Sequence, residues 1–125
     1  MQRKIIISSE TVKVEGTLSG SSTADAIWEI LPITSEVNTW GDEIYFAVPV
    51  RVDIEDNALE VVEKGDIGYW PTGAAFCIFF GPTPVSRQDE IRPASAVNVF
   101  GKINGDTSVL RTIAQGSKIV VKKAE

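Results

Sequence analysis

The sequence predicts a mainly β domain, a closed barrel whose open ends are capped by two helices. Three observations carry this expectation. Short runs of β-branched and aromatic residues recur along the chain, divided by Gly, Pro, Asn and Ser turn signals. Helical spacing of apolar residues is confined to two stretches, near residues 23–31 and 107–114. The run Ala74 to Phe80 is apolar throughout, which suits a strand buried on both sides or facing a pocket. The chain has 125 residues and shows no internal repeat, low-complexity stretch or linker, so residues 1–125 read as one domain. A domain of this length buries roughly two-thirds of its unfolded surface and folds without a staple.

Taken in order, Arg3 to Ser8 carries Ile5-Ile6-Ile7, and Thr11 to Leu18 alternates with Val12 and Val14 on one side. Joined by Ser8-Ser9-Glu10, they predict a hairpin. Ser22, with Asp25 three residues on, is a weak capping signature. Ala24, Ile27, Trp28 and Leu31 then predict a helix from about Thr23 to Leu31, stopped by Pro32. The β signal returns from Ile33 to Val52, with a turn at Asn38 to Asp42, a strand at Ile44 to Val48 and Pro49 at an edge or bulge. The acidic stretch Asp53 to Lys64 reads as a loop or a short helical turn.

Gly65 to Pro71 reads as a turn leading into a strand, and Thr72-Gly73 as another turn before the apolar run. Gly81-Pro82-Thr83-Pro84 ends that run, and a polar loop follows from Val85 to Pro93. A strand is expected over Ser95 to Ile103, then a turn at Asn104-Gly105. Asp106 or Thr107 is placed to cap a second helix with Val109, Leu110, Ile113 and Ala114 on one face and Gly116 as its stop. Lys118 to Lys122 completes the chain as a strand.

Composition excludes several function classes. The hydrophobic share is 43% and the charged share 23%, as in an ordinary globular domain. Twelve Lys and Arg against seventeen Asp and Glu leave a net charge of -5. The basic residues are scattered, so no nucleic acid and no membrane surface is expected as partner. The apolar runs are far shorter than the ~20 residues that cross a bilayer, and no signal-peptide pattern opens the chain. A single cysteine, Cys77, permits no intrachain disulfide, and a cytoplasmic location is expected. Histidine is absent, which removes Ser-His and Cys-His nucleophile pairs and histidine-based zinc sites. No metal and no cofactor is expected, and no glycine loop has a phosphate-binding pattern. Cys77, between Phe76 and Ile78, reads as a small buried hydrophobe of raised pKa.

Val97-Asn98-Val99-Phe100-Gly101-Lys102-Ile103 is similar to the cyclophilin strand "HVVFGKV", and Phe76-Cys77-Ile78-Phe79-Phe80 resembles that family's "QFFIC" strand. Further stretches resemble a small family of uncharacterised prokaryotic cyclophilin-like proteins. They are Asn38-Thr39-Trp40-Gly41 with Glu43-Ile44-Tyr45-Phe46, Gly65-Asp66 with Gly68-Tyr69-Trp70-Pro71, Phe79-Phe80-Gly81 with Thr83-Pro84, and Pro93 to Val99. The resemblance implies a cyclophilin-like, closed eight-stranded barrel with two capping helices, and no known activity.

Prolyl isomerisation lowers a barrier of ~18–20 kcal/mol by weakening amide resonance. Cyclophilins use an arginine on a strand facing the groove, an apolar pocket, and a Gln, a Trp and a His. The arginine motif "FHRV" has no counterpart here: the corresponding region, Trp40 to Phe46, holds no basic residue, and Val97 stands where the family has its strand-initial His. The resemblance therefore implies a fold without its catalytic arginine, histidine and glutamine. A displaced arginine, Arg51, Arg87 or Arg92, is the alternative that would leave a weak or atypical peptidyl-prolyl cis-trans isomerase.

The candidate ligand-binding groove comprises Trp40, Tyr45, Phe46, Tyr69, Trp70, Phe76, Phe80, Arg92 and Asn98. Aromatic walls with few polar anchors suit a binding pocket. Phe76, Phe79 and Phe80 suit the core better than the pocket, whereas Trp40, Tyr69 and Trp70, beside Gly and Pro turns, suit core and pocket alike. Glu43 and Arg92 read as polar anchors or, more commonly, as surface groups. The expected function is a non-catalytic binding module for a small molecule or peptide, with a homo-oligomer compatible with the sequence.

Overall fold

The structure, a computed structural model, describes residues 3–124. The expected hairpin forms: β1 (Arg3–Ser8) pairs antiparallel with β2 (Lys13–Leu18), matching Ile7 with Val14 and sending Ile5 and Ile7 inward. Helix α1 (Ser22–Ile30) follows, with Ala24 and Ile27 buried. Its cap is Ser21, not the expected Ser22 and Asp25 pair. Ser21 is the last extended residue, and its Oγ accepts the Ala24 N–H at 3.1 Å. Asp25 instead pairs with Arg3 at 2.8 Å.

The remaining strands are β3 (Ile33–Glu36), β4 (Asn38–Thr39), β5 (Glu43–Ala47), β6 (Asp66–Trp70), β7 (Ala75–Phe79), β8 (Asn98–Asn104) and β9 (Lys118–Lys123). They make one nine-stranded sheet in the order β3-β9-β1-β2-β8-β6-β7-β5-β4. The two end strands, β3 and β4, are separated in the chain by Val37 alone. The segment 33–39 thus pairs with β9 through its first half and with β5 through its second. Chain continuity brings the two sheet edges together, and Ser35 Oγ donates to Ala47 O across the seam at 3.0 Å. Counted as one bent strand, β3 and β4 reduce the nine to the expected eight.

The second expected helix is a 3₁₀ turn, Ser108–Thr112. Its buried residue Leu110 and the buried Ile113 that caps it lie three apart, the period of a 3₁₀ helix. Val109 is exposed, so no four-residue spacing draws the chain into an α-turn. The Asp106 carboxylate accepts the Ser108 N–H and hydroxyl, fixing an Asx turn at the start.

Residues 53–64 form an ordered loop with no helical turn. Two isolated bridges tie the loop down, Leu59 to Val97 and Val62 to Ile91. Its start is held more tightly. The Asn98 side chain accepts the Glu55 N–H at 2.8 Å and donates to Asp53 O at 3.0 Å and to Thr23 Oγ1 at 3.2 Å. Glu55 in turn accepts from the Thr23 backbone N–H and hydroxyl, placing a carboxylate at the positive N-terminus of α1. Asn98 is 1% exposed; its bond to Thr23 is buried, and those to Asp53 and Glu55 are part-buried.

Truncating Asn98 takes the partner from the part-buried Glu55 N–H and Asp53 C=O and a donor from the buried Thr23 hydroxyl. Asn98→Ala is expected to cost about 2 kcal/mol in denaturant unfolding and to speed amide exchange at Glu55. A loss below ~0.5 kcal/mol would contradict this role.

Candidate functional site

Strand β7 is buried along its whole length, Ala75 to Phe79. Its alternation divides it between two environments. Phe76 and Ile78 point into the barrel, where Phe76 stacks on Phe46 (centroids 4.9 Å apart, 16° between planes) and meets Phe100 edge-on at 5.3 Å. Ala75, Cys77 and Phe79 point outward and pack with Val62, Ile91 and Val97, which the bridged loops bring over the wall. Tyr45, Trp70 and Val99 flank this outer cluster, partly buried.

A cavity of about 270 Å³ opens beside that cluster. Trp40, Glu43, Tyr45 and Trp70 line it from the strands and the turn, while Pro93, Ala94 and Val97 close it from the loop. Each aromatic wall is positioned by its neighbours. Trp40 precedes a turn in which Gly41 has φ +61°, and a Cβ there would lie 2.9 Å from Pro82 O. Only glycine meets both demands; the turn is closed by Trp40 N–H donating to Glu43 O at 3.0 Å and tied to the 81–84 segment by Asp42 N–H donating to Pro82 O at 2.9 Å. The Trp70 indole N–H donates to Ser95 Oγ at 2.6 Å, and its ring lies over Gly73, where any Cβ would come within 2.7 Å of it.

Glu43 is the polar exception in this lining. It is 5% exposed, and burial pushes its carboxyl up to about 7 against a modest opposing effect of the neighbouring Cys77 thiol. None of the ion pairs among the described residues includes it. Cys77 is 1% exposed, and burial first, then the Glu43 charge, hold its thiol well above the ordinary value. The thiol is therefore a neutral wall, not a nucleophile. No group of three or more Cys, Asp or Glu suited to a metal ion occurs among the described residues, and no helix there is long and apolar enough to cross a membrane.

Of the expected groove residues, the structure brings Trp40, Tyr45 and Trp70 together around the cavity. Phe46 and Phe76 lie in the barrel interior instead, each 0% exposed. Phe80 is buried at the barrel end, under the Arg111 guanidinium at 5.7 Å. Tyr69 is 0% exposed, and its hydroxyl donates to Val50 O at 2.8 Å and accepts the Val52 N–H at 3.1 Å. Asn98 fastens the loop described above. Arg92 pairs with Glu90 at 2.7 Å and borders a neighbouring hollow with Pro93 to Ala96. Reading Glu43 as a surface group fails, because β5 pairs with β7 and so turns Glu43 and Tyr45 together onto the covered face. The signal for it was present in the two-residue spacing of Glu43 and Tyr45.

The cyclophilin-like family profile matches residues 2–122. The chain belongs to the cyclophilin-like family. A solved relative agrees across nearly the whole fold: the solution structure of the hypothetical protein AF2241 from Archaeoglobus fulgidus. It is 44% identical to this chain, covers 98% of it and 95% of its own length, and superposes with a TM-score of 0.84. No curated protein matches. As a cyclophilin-like protein, the chain presents at the region resembling the arginine strand a buried acid, Glu43, with no basic residue from Trp40 to Phe46.

Burial of Glu43 has a consequence for stability. Between its ordinary value of 4.5 and about 7, the folded chain holds more protons than the unfolded chain. Stability from this group is therefore greatest below pH 4.5 and falls as pH rises to about 7, by about 3 kcal/mol in all. Glu43→Gln is expected to remove most of that fall, read as the difference between variant and parent unfolding curves from pH 4.5 to 8. Parallel curves across this window would contradict the burial of an ionisable Glu43.

Proposed function

We propose that this protein is a non-catalytic cyclophilin-like binding module that takes a small molecule or a peptide side chain in the Glu43 cavity. The observation that carries the reading is a preformed, largely apolar hollow on the outer barrel wall with a single buried carboxyl inside it. Pockets that bind small ligands have this make-up, and a volume of about 270 Å³ lies just under their usual range. The lining offers no arginine, histidine or glutamine to an amide under rotation. Arg92, the displaced arginine nearest in sequence to the lining loop, is engaged by Glu90. A single, buried cysteine fits a cytoplasmic setting.

An amide NMR titration with a short Xaa-Pro peptide, including exchange spectra between its cis and trans forms, tests the reading. Shifts at Glu43, Tyr45, Trp70 and Val97 without accelerated exchange are expected. Accelerated exchange, lost on Arg92→Ala with folding intact, would establish an atypical isomerase in its place.

A further inference from the structure

Around the Glu43 cavity three aromatic side chains, Trp40, Tyr45 and Trp70, surround one carboxyl that is 5% exposed. The lining holds no Lys or Arg. The carboxyl has no charged partner: none of the ion pairs among the described residues includes it. Its polar neighbour is a buried thiol, a weak donor. An acid in such a place normally has a cationic partner.

The aromatic walls supply the second half of the recognition. Ring faces carry negative quadrupole potential and attract cations within about 6 Å, and clustered rings are the usual receptors for alkylated ammonium groups. Trp70 is held for this task from both sides. Its N–H is occupied by Ser95 Oγ, and its ring is seated over Gly73, so its orientation is set before any ligand arrives. A strongly hydrated primary ammonium would lose its water shell in an apolar hollow, at high cost. An alkylated ammonium is weakly hydrated and has methyl groups to bury against Val97, Ala94 and Pro93.

We propose that the Glu43 cavity binds an alkylated ammonium head group, its positive charge countered by Glu43 and its methyl groups enclosed by Trp40, Tyr45 and Trp70. This deepens the binding-module reading and rests on it. The same chemistry comes from a free small cation or from a methylated lysine side chain, and the cavity volume admits the head group of either. Ionisation of Glu43 strengthens binding. The titratable groups facing Glu43 are the Cys77 thiol on β7 and the Tyr45 phenol on its own strand. Trp40, Trp70 and the 93–97 loop bring none. The thiol stays neutral because burial holds its pKa up, so the pH dependence belongs to Glu43.

The test is a titration of the full chain with choline and, in parallel, with its uncharged carbon isostere 3,3-dimethyl-1-butanol, read by tryptophan fluorescence and by amide shifts. Choline keeps its charge at every pH. It is expected to bind at least tenfold more tightly than the isostere at pH 8, and about tenfold less tightly at pH 6 than at pH 8. Glu43→Gln is expected to abolish both the preference and the pH dependence while keeping the fold. Tyr45→Phe, which keeps the ring, is expected to bind as the parent does, and Trp70→Leu to bind at least fivefold more weakly. A peptide bearing trimethyl-lysine, against the same peptide with unmodified lysine, separates a side chain from a free cation as the source. Equal binding of choline and its isostere would overturn the cation proposal and leave the cavity a binding site. Binding of none of choline, its isostere and the trimethyl-lysine peptide, with the Xaa-Pro peptide still shifting cavity amides, would likewise overturn it alone. Silence in every one of these titrations, the Xaa-Pro peptide included, would overturn both readings.

Discussion

The structure depends on a strand that has no wet side. Five consecutive residues, Ala75 to Phe79, are buried, and a strand sends alternate side chains to opposite faces. One set, Phe76 and Ile78, joins the barrel core, as any barrel strand would. The other set, Ala75, Cys77 and Phe79, would face solvent unless something covered it. The chain supplies the cover from two loops, which dock through short bridges at Leu59 to Val97 and Val62 to Ile91. Much of the irregular structure serves this single need, and the loops bring Val62, Ile91 and Val97 to it as apolar payload.

The cavity lies between the barrel wall and the 93–97 stretch of the covering chain, and its chemistry follows from which outward positions border it. On β5 these are Glu43 and Tyr45, and on β6 it is Trp70. The carboxyl therefore sits in a medium where its charged form is disfavoured, with the titration near neutrality instead of near 4.5. An apolar wall that holds one such group gives up stability at neutral pH for it.

Much of this architecture is legible in the sequence, because the features that set it are local. The hairpin, the first helix, the doubly buried strand and the final strand all announce themselves by period and by their bounding turns. Closure through residues 33–39 is harder to read, since one residue, Val37, separates pairing with β9 from pairing with β5 and leaves no pattern of its own. The 3₁₀ turn at 108–112 looks helical because a spacing of three is shared by both helix types. The site turns on parity. Tyr45 and Phe46, Tyr69 and Trp70, and Phe76 and Cys77 are neighbours that face opposite ways. A register error of one residue exchanges core for cavity. Without strand partners, aromatic content alone could not separate Tyr45 and Trp70 from Phe46, Tyr69 and Phe76, nor could it move Glu43 from the surface to the cavity.

The measurement that reaches this most directly is a carbon-detected NMR titration of the Glu43 side-chain carboxyl in the folded chain, with Glu43→Gln to assign the resonance. A midpoint close to 7 is expected, well above the ordinary carboxyl value of 4.5. A midpoint at or below 4.5 would place Glu43 in water or in an ion pair. In that case the outer wall would hold no buried acid, and neither the cavity's chemistry nor the cover that creates it would stand as described.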